Sequence, residues 1–170
     1  MDLNFFILIS LLPIVFMFHD FEEIIFMKLF FAKNSEYLQN RFPKLSKQIL
    51  KMNGISTATF AFGVAEEFVL FSILTYTSLL TENYGWWFGL LAGFTLHIII
   101  HIIQFIVVRK YLPVIITSVL VLPYCIYTIL KFYNLLILSV QQMIFYSLIM
   151  TIIMGVNLFL VHKLMMKLKL

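Results

Sequence analysis

Along most of the chain apolar residues run unbroken. The regular polar positions that mark a strand or helix lying half in water are missing. Five such runs occur, at about 4–27, 54–80, 86–108, 112–130 and 138–161. Crossing the hydrocarbon core takes roughly 17–25 helical residues, and each run meets that length. The pattern predicts an all-α, polytopic bundle of about five membrane-spanning helices, forming a single domain over 1–170. The first run needs an argument. Its pure part, Leu3 to Phe18, is slightly short for a span, so the helix must continue through His19-Asp20-Phe21-Glu22-Glu23 to Met27. It does not read as a secretory signal, because Asp2 makes the start acidic and no small-residue cleavage site follows. The longest polar stretch, Lys28 to Asn53, is short and basic.

Composition agrees with the pattern. Of 170 residues 62% are hydrophobic and 12% charged. That is about half the charged share of a soluble domain. Mean hydropathy is +1.02. The single cysteine, Cys125, lies in an apolar run, so neither an internal disulfide nor a Cys-type metal site is expected, only a small buried hydrophobe. Pro13, Pro113 and Pro123 are tolerable in or beside membrane helices. Expected partners are membrane lipid and a lipid or other apolar substrate. Neither nucleic acid nor an organic cofactor is expected.

The net charge of +4 gains meaning only from its placement. Lys28, Lys33, Arg41, Lys44, Lys47 and Lys51 follow the first run, Arg109 and Lys110 follow the third, and Lys163, Lys167 and Lys169 follow the fifth. With five spans these places share one side, and only Lys131 is opposite. The positive-inside rule then predicts a cell-membrane protein with its N-terminus outside and C-terminus cytoplasmic. Trp86 and Trp87 would sit in the outer aromatic belt.

The polar residues inside the spans carry the chemistry. His19, Glu22 and Glu23 are three and four apart, hence on one side of a helix. Asp20 points about 100° away, toward the cytoplasmic interface. Glu66-Glu67 lie near the middle of the second span, and His97 and His101 share a face of the third, which Gln104 continues. All fall between the midplane and the cytoplasmic side. An acidic residue at a helix centre costs about 2.5–3.5 kcal/mol, so four unpaired glutamates would cost on the order of 10 kcal/mol, comparable to a domain's stability. They must be protonated, paired, hydrated or bound to a cation. Two divalent ions would match four glutamates, with imidazoles completing the shell, as in paired iron or manganese sites on helices. Zinc would accept a smaller set. The expected metal ligands are His19, Glu22, Glu23, Glu66, Glu67, His97 and His101, for one or two ions of zinc, iron or manganese. Glu22, Glu23, Glu66 and Glu67 are the catalytic candidates, one of them serving as a general base.

Blander readings exist for each feature. His19, Glu22 and Glu23 could be a juxtamembrane acidic cluster near Lys28, Glu66-Glu67 a protonated pair bonding neighbouring helices, and the histidines interhelical glue. The coincidence of all three at one depth favours a shared site. Gly85, Gly89 and Gly93 continue the histidine face every four residues and would let another helix approach closely. Asn157 reads as a packing group, and His162 as a side chain snorkelling to the cytoplasmic surface.

His19-Asp20-Phe21-Glu22-Glu23 resembles the signature of the HXXEE-motif membrane proteins, a largely bacterial group of uncharacterised function. The resemblance extends over most of the chain through Glu66-Glu67 and His97/His101. It implies several membrane helices, a bacterial source and a functional role for His19, Glu22 and Glu23, but supplies no substrate. The intramembrane glutamate proteases are similar only at the Glu pair, since Phe71 stands where they carry arginine. The desaturase pattern fails because its later histidine boxes are absent. Three function classes follow: a metal-dependent membrane hydrolase or oxidoreductase acting on a lipid or apolar substrate; a proton or divalent-cation transporter or channel; and a noncatalytic protein with a structural polar site. The enzyme is preferred, because the outer halves of the spans offer few polar groups for a conduit.

Overall fold

The computed structural model describes residues 3–167. Asp2 and Lys169, used in the signal and charge arguments, lie outside the described residues. Helices α1 (Leu3–Ser10) and α2 (Leu12–Arg41) form one span interrupted at Leu11. Pro13 explains the interruption, because it has no N–H to offer the carbonyl of Ile9. The bonds Leu11 N–H to Ile7 O (3.0 Å) and Val15 N–H to Leu11 O (2.9 Å) keep the two pieces in line. Then follow α3 (Ser46–Asn53), α4 (Thr57–Thr81), α5 (Gly85–Val108), α6 (Ile115–Asn134) and α7 (Val140–Met165). Among the described residues five helical spans, α1 and α2 counting as one, are long and apolar enough to cross a membrane, and they build an all-α bundle.

Local chemistry sets the ends. Ser56 accepts from the Thr59 N–H to start α4, and Ser139 with Gln142 forms a capping box on α7. Glu82 and Arg109 adopt left-handed backbone (φ 54 and 58) to close α4 and α5. Helix α2 continues past the expected end at Met27, because residues 28–41 include good helix formers and neither Gly nor Pro. It stops where Phe42 precedes Pro43 and leaves the helical region. The basic stretch Lys28–Asn53 is therefore folded. Phe30, Leu38 and Ile49 close a small second core with Leu112 and Val114 from the α5–α6 connection. At its edge Tyr37 donates to Val108 O (2.9 Å) and Arg41 to Val107 O (3.0 and 3.2 Å). These are last-turn carbonyls of α5 without helical partners, at the negative end of its dipole. The clamp fixes α5 against α2, the helices that carry His97 and His101 and His19 respectively.

Glycines set the α5–α7 contact. Gly85 faces Tyr146, Gly89 faces Tyr146 and Met150, and Gly93 faces Met154. Both series advance in the same direction, so α5 and α7 run parallel. At the same end of the bundle Phe5, Tyr84, Trp87, Phe88 and Phe132 pack ring on ring. Trp86 is 40% exposed, as a belt residue would be, but Trp87 is fully buried and stacked on Phe132, which corrects the expectation for it. The exterior is apolar: Ile14, Ile106, Leu148 and Ile152 are all more than 60% exposed. Hydrocarbon is the natural solvent for such a surface.

Candidate functional site

His19 is fully buried in α2, with His97 and His101 of α5 at ring-centroid distances of 5.7 and 5.4 Å. Ligand-capable nitrogens of the three histidines all lie within 4.8 Å of one another. Neighbouring groups set two of the tautomers. The Thr117 hydroxyl donates to Glu22 Oε2 (2.6 Å), so its oxygen accepts from His19 Nδ1–H (3.1 Å). His101 Nδ1–H donates to Gln104 Oε1 (3.0 Å). In both rings Nε2 is therefore unprotonated, the form a metal ligand requires. His101 Nε2 accepts from His97 Nε2 at 2.8 Å, while His19 Nε2 is buried with no hydrogen-bond partner. An orphaned imidazole nitrogen beside two other histidines, with the Asp20 and Glu23 carboxylates within 4.0 Å of this cluster, fits a divalent ion as a His-rich donor set.

The adjacent glutamates of the motif part company. Helical geometry turns them about 100° apart. Glu22 faces the start of α6 and the connection before it, where Tyr111 O–H (2.5 Å), Thr117 O–H and Thr117 N–H (2.9 Å) all donate to it. Partial burial and the bond to Glu22 push the Tyr111 hydroxyl up to about 12, so it remains a donor at neutral pH. Glu23 faces the other way. Its Oε1 lies 3.6 Å from His101 Nε2, and its side chain lines a cavity of about 170 Å³ between α2, α4, α5 and α7. Asp20, Glu67 and His97 share that wall. Glu66 does not. It meets Asn157 Nδ2 at 3.1 Å, and the same amide donates to Glu67 at 2.9 Å. Phe16, Phe71 and Phe94 close the cavity toward the Gly85 end, with Phe16 stacked on Phe71 at 4.3 Å.

Two expectations need correction. Asp20 does not face an interface. It is 4% exposed, 4.0 Å from His19 Nε2, and on the cavity wall. Residues of α4, α5 and α7 line the cavity on that side of α2, so the turn of about 100° from His19 to Asp20 still points into protein, while Phe18 and Phe21 take the exposed side. His162 does not snorkel outward. Its Nδ1 donates to Leu158 O (2.8 Å) and its ring lines the cavity, one α7 turn below His97 in the parallel register. The sequence singles out neither Thr117 nor Tyr111, because a hydroxyl in or beside an apolar run reads as a packing group. Asn157 was visible as an amide in an otherwise apolar span, though not its two glutamate partners.

A family model described as a protein of unknown function with HXXEE motif matches residues 10–128, which include His19, Glu22 and Glu23. The chain belongs to the HXXEE-motif family. The matched region runs from the end of α1 through most of α6, so α7 lies beyond it. No curated protein and no solved structure matches the chain.

Proposed function

We propose that this HXXEE protein is a metal-dependent enzyme of the cell membrane, acting on a lipid or other apolar substrate within a single membrane-embedded domain. The observation that carries the reading is the convergence of His19, His97 and His101, with the buried His19 Nε2 unpartnered. His19, His97 and His101 would hold one divalent ion, with zinc favoured over iron or manganese because the histidines outnumber the carboxylates in reach. Such an ion supplies Lewis acidity and water that ionises near neutral pH. Glu23, beside His101 and on the cavity wall, would be the group to take up a proton there. Glu22 orients His19 through Thr117 and does not act as a ligand, and Glu66 and Glu67 with Asn157 shape the far wall. The Phe16–Phe71–Phe94 stack supports a one-ended pocket over a conduit for ions.

Elemental analysis of protein purified in mild detergent without chelator is the test. About one zinc per chain is expected, falling to background in His97→Ala. Chelation should lower the melting temperature. A ligand at a hundredfold excess over Kd stabilises by about 2.7 kcal/mol. Protein that carries no metal and melts identically with chelator defeats this reading in favour of a proton relay. The orientation proposed with it, N-terminus outside, predicts that a reporter active only in the cytoplasm works when inserted after Lys47. Silence there, with activity after Leu136, reverses the topology.

A further inference from the structure

Gly155 differs from the other glycines of the α5–α7 contact. Where Gly85, Gly89 and Gly93 are filled by the opposing helix, a side chain at Gly155 would meet no atom within 4 Å. It is exposed on the outside of the bundle and at the same time lines the cavity. Leu96 and Ile100 of α5 do the same, at 41% and 43% exposure. The parallel register places Met154 against Gly93, so Gly155 lies between that last tight contact and the level of His97. The wall is therefore open to the bilayer just beside the His/Glu cluster.

Size limits what can enter. A cavity of about 170 Å³ is close to the roughly 150 Å³ that holds one benzene. A ring-sized fragment fits, and a whole lipid does not. The polar side of the cavity, Glu23, Glu67 and His97, suits an oxygen-bearing group, while the chain attached to it must lie elsewhere. We propose that the gap at Gly155 is a lateral portal for one lipid chain: the polar end of an acyl lipid sits against Glu23 and His97, and its hydrocarbon passes out between α5 and α7 into the bilayer. This rests on the reading of the cavity as the substrate site, and it adds the substrate class and the route.

The test uses phospholipid vesicles doped with a long-chain acyl methyl ester, whose polar end is small and uncharged, carrying a photoactivatable diazirine near its carbonyl. Adducts are located by mass spectrometry on the full chain reconstituted as wild type, Gly155→Ala and Gly155→Trp. In wild type and Gly155→Ala, adducts should concentrate on Leu96, Ile100 and Leu158. In Gly155→Trp they should fall at least tenfold relative to those on lipid-facing Ile106 and Ile152. Gly155→Cys, folded first and then modified with a bulky maleimide, gives the same plug without asking the chain to fold around tryptophan; the native Cys125 is buried. Labelling unchanged by both plugs, or spread evenly over the lipid-facing residues in wild type, overturns the portal. Metal content is read on the same samples. If no sample holds metal yet the plugs still abolish the local adducts, the portal stands and the metal reading falls.

Discussion

The two ends of the α5–α7 contact are built on opposite principles. Toward Gly85 the helices touch, with Tyr146, Met150 and Met154 filling the space the glycines leave. Beyond Gly93 the same helices carry His97 and His101 on one side and Gly155, Leu158 and His162 on the other, with a cavity between them and α2 and α4. Van der Waals contact is the main adhesive between helices in lipid, where apolar surface gains nothing by leaving its surroundings. The closed end can supply that contact because neither helix carries a carboxylate or an imidazole there. The open end forgoes it, and its ionisable groups are satisfied by one another, by Thr117, Tyr111, Gln104 and Asn157, and by whatever enters. One end holds the helices so that the other can remain hollow.

Substitutions at four positions break or sharpen that contrast. Gly89→Leu should have the largest effect, because a side chain there meets the Tyr146 carbonyl oxygen, which cannot swing aside. Overpacking costs about 1–3 kcal/mol or more, so a loss of at least about 3 kcal/mol is expected in a denaturant titration in detergent. Wild-type stability would mean that the closed end does not hold the bundle. At the open end Thr117→Val removes the hydroxyl between His19 and Glu22. Losing such a supporting bond typically weakens metal binding about 10–100-fold. Competition against a metal-sensitive dye measures it, and unaltered affinity would remove Thr117 from any role in orienting His19.

Asn157→Leu deletes the amide that bridges Glu66 and Glu67. Interhelical hydrogen bonds in membranes average about 0.6 kcal/mol, so a loss near 1 kcal/mol is expected for the pair. A loss well above that would show that the glutamates have no other way to be solvated. Gly155→Ala should do least: nothing opposes the methyl group, and alanine favours the helix by up to about 1 kcal/mol. Its melting temperature should match or exceed wild type, whereas Gly89→Ala should melt lower. Equal behaviour of the two alanine variants would erase the distinction between the ends.

The apolar runs determined the helices and their number, because twenty apolar residues in a row have few stable options besides a span. The same excess concealed the packing. In lipid the outside of a helix is as apolar as the inside, so no periodicity tells which face of α2 meets α5 and which meets α6. The cost of placing ionisable side chains in hydrocarbon singled out His19, Glu22, Glu23, Glu66, Glu67, His97 and His101, and their shared depth on three helices. How they divide was decided by tertiary structure alone. Glu22 turned to Thr117 and Tyr111, Glu23 and Asp20 to the cavity, and Glu66 and Glu67 to Asn157. A rotation of 100° between neighbours is fixed by the backbone, but what stands at the end of it depends on helices far along the chain. The sequence could state that these groups need partners; only the packing of α6 and α7 around α2 and α5 says which.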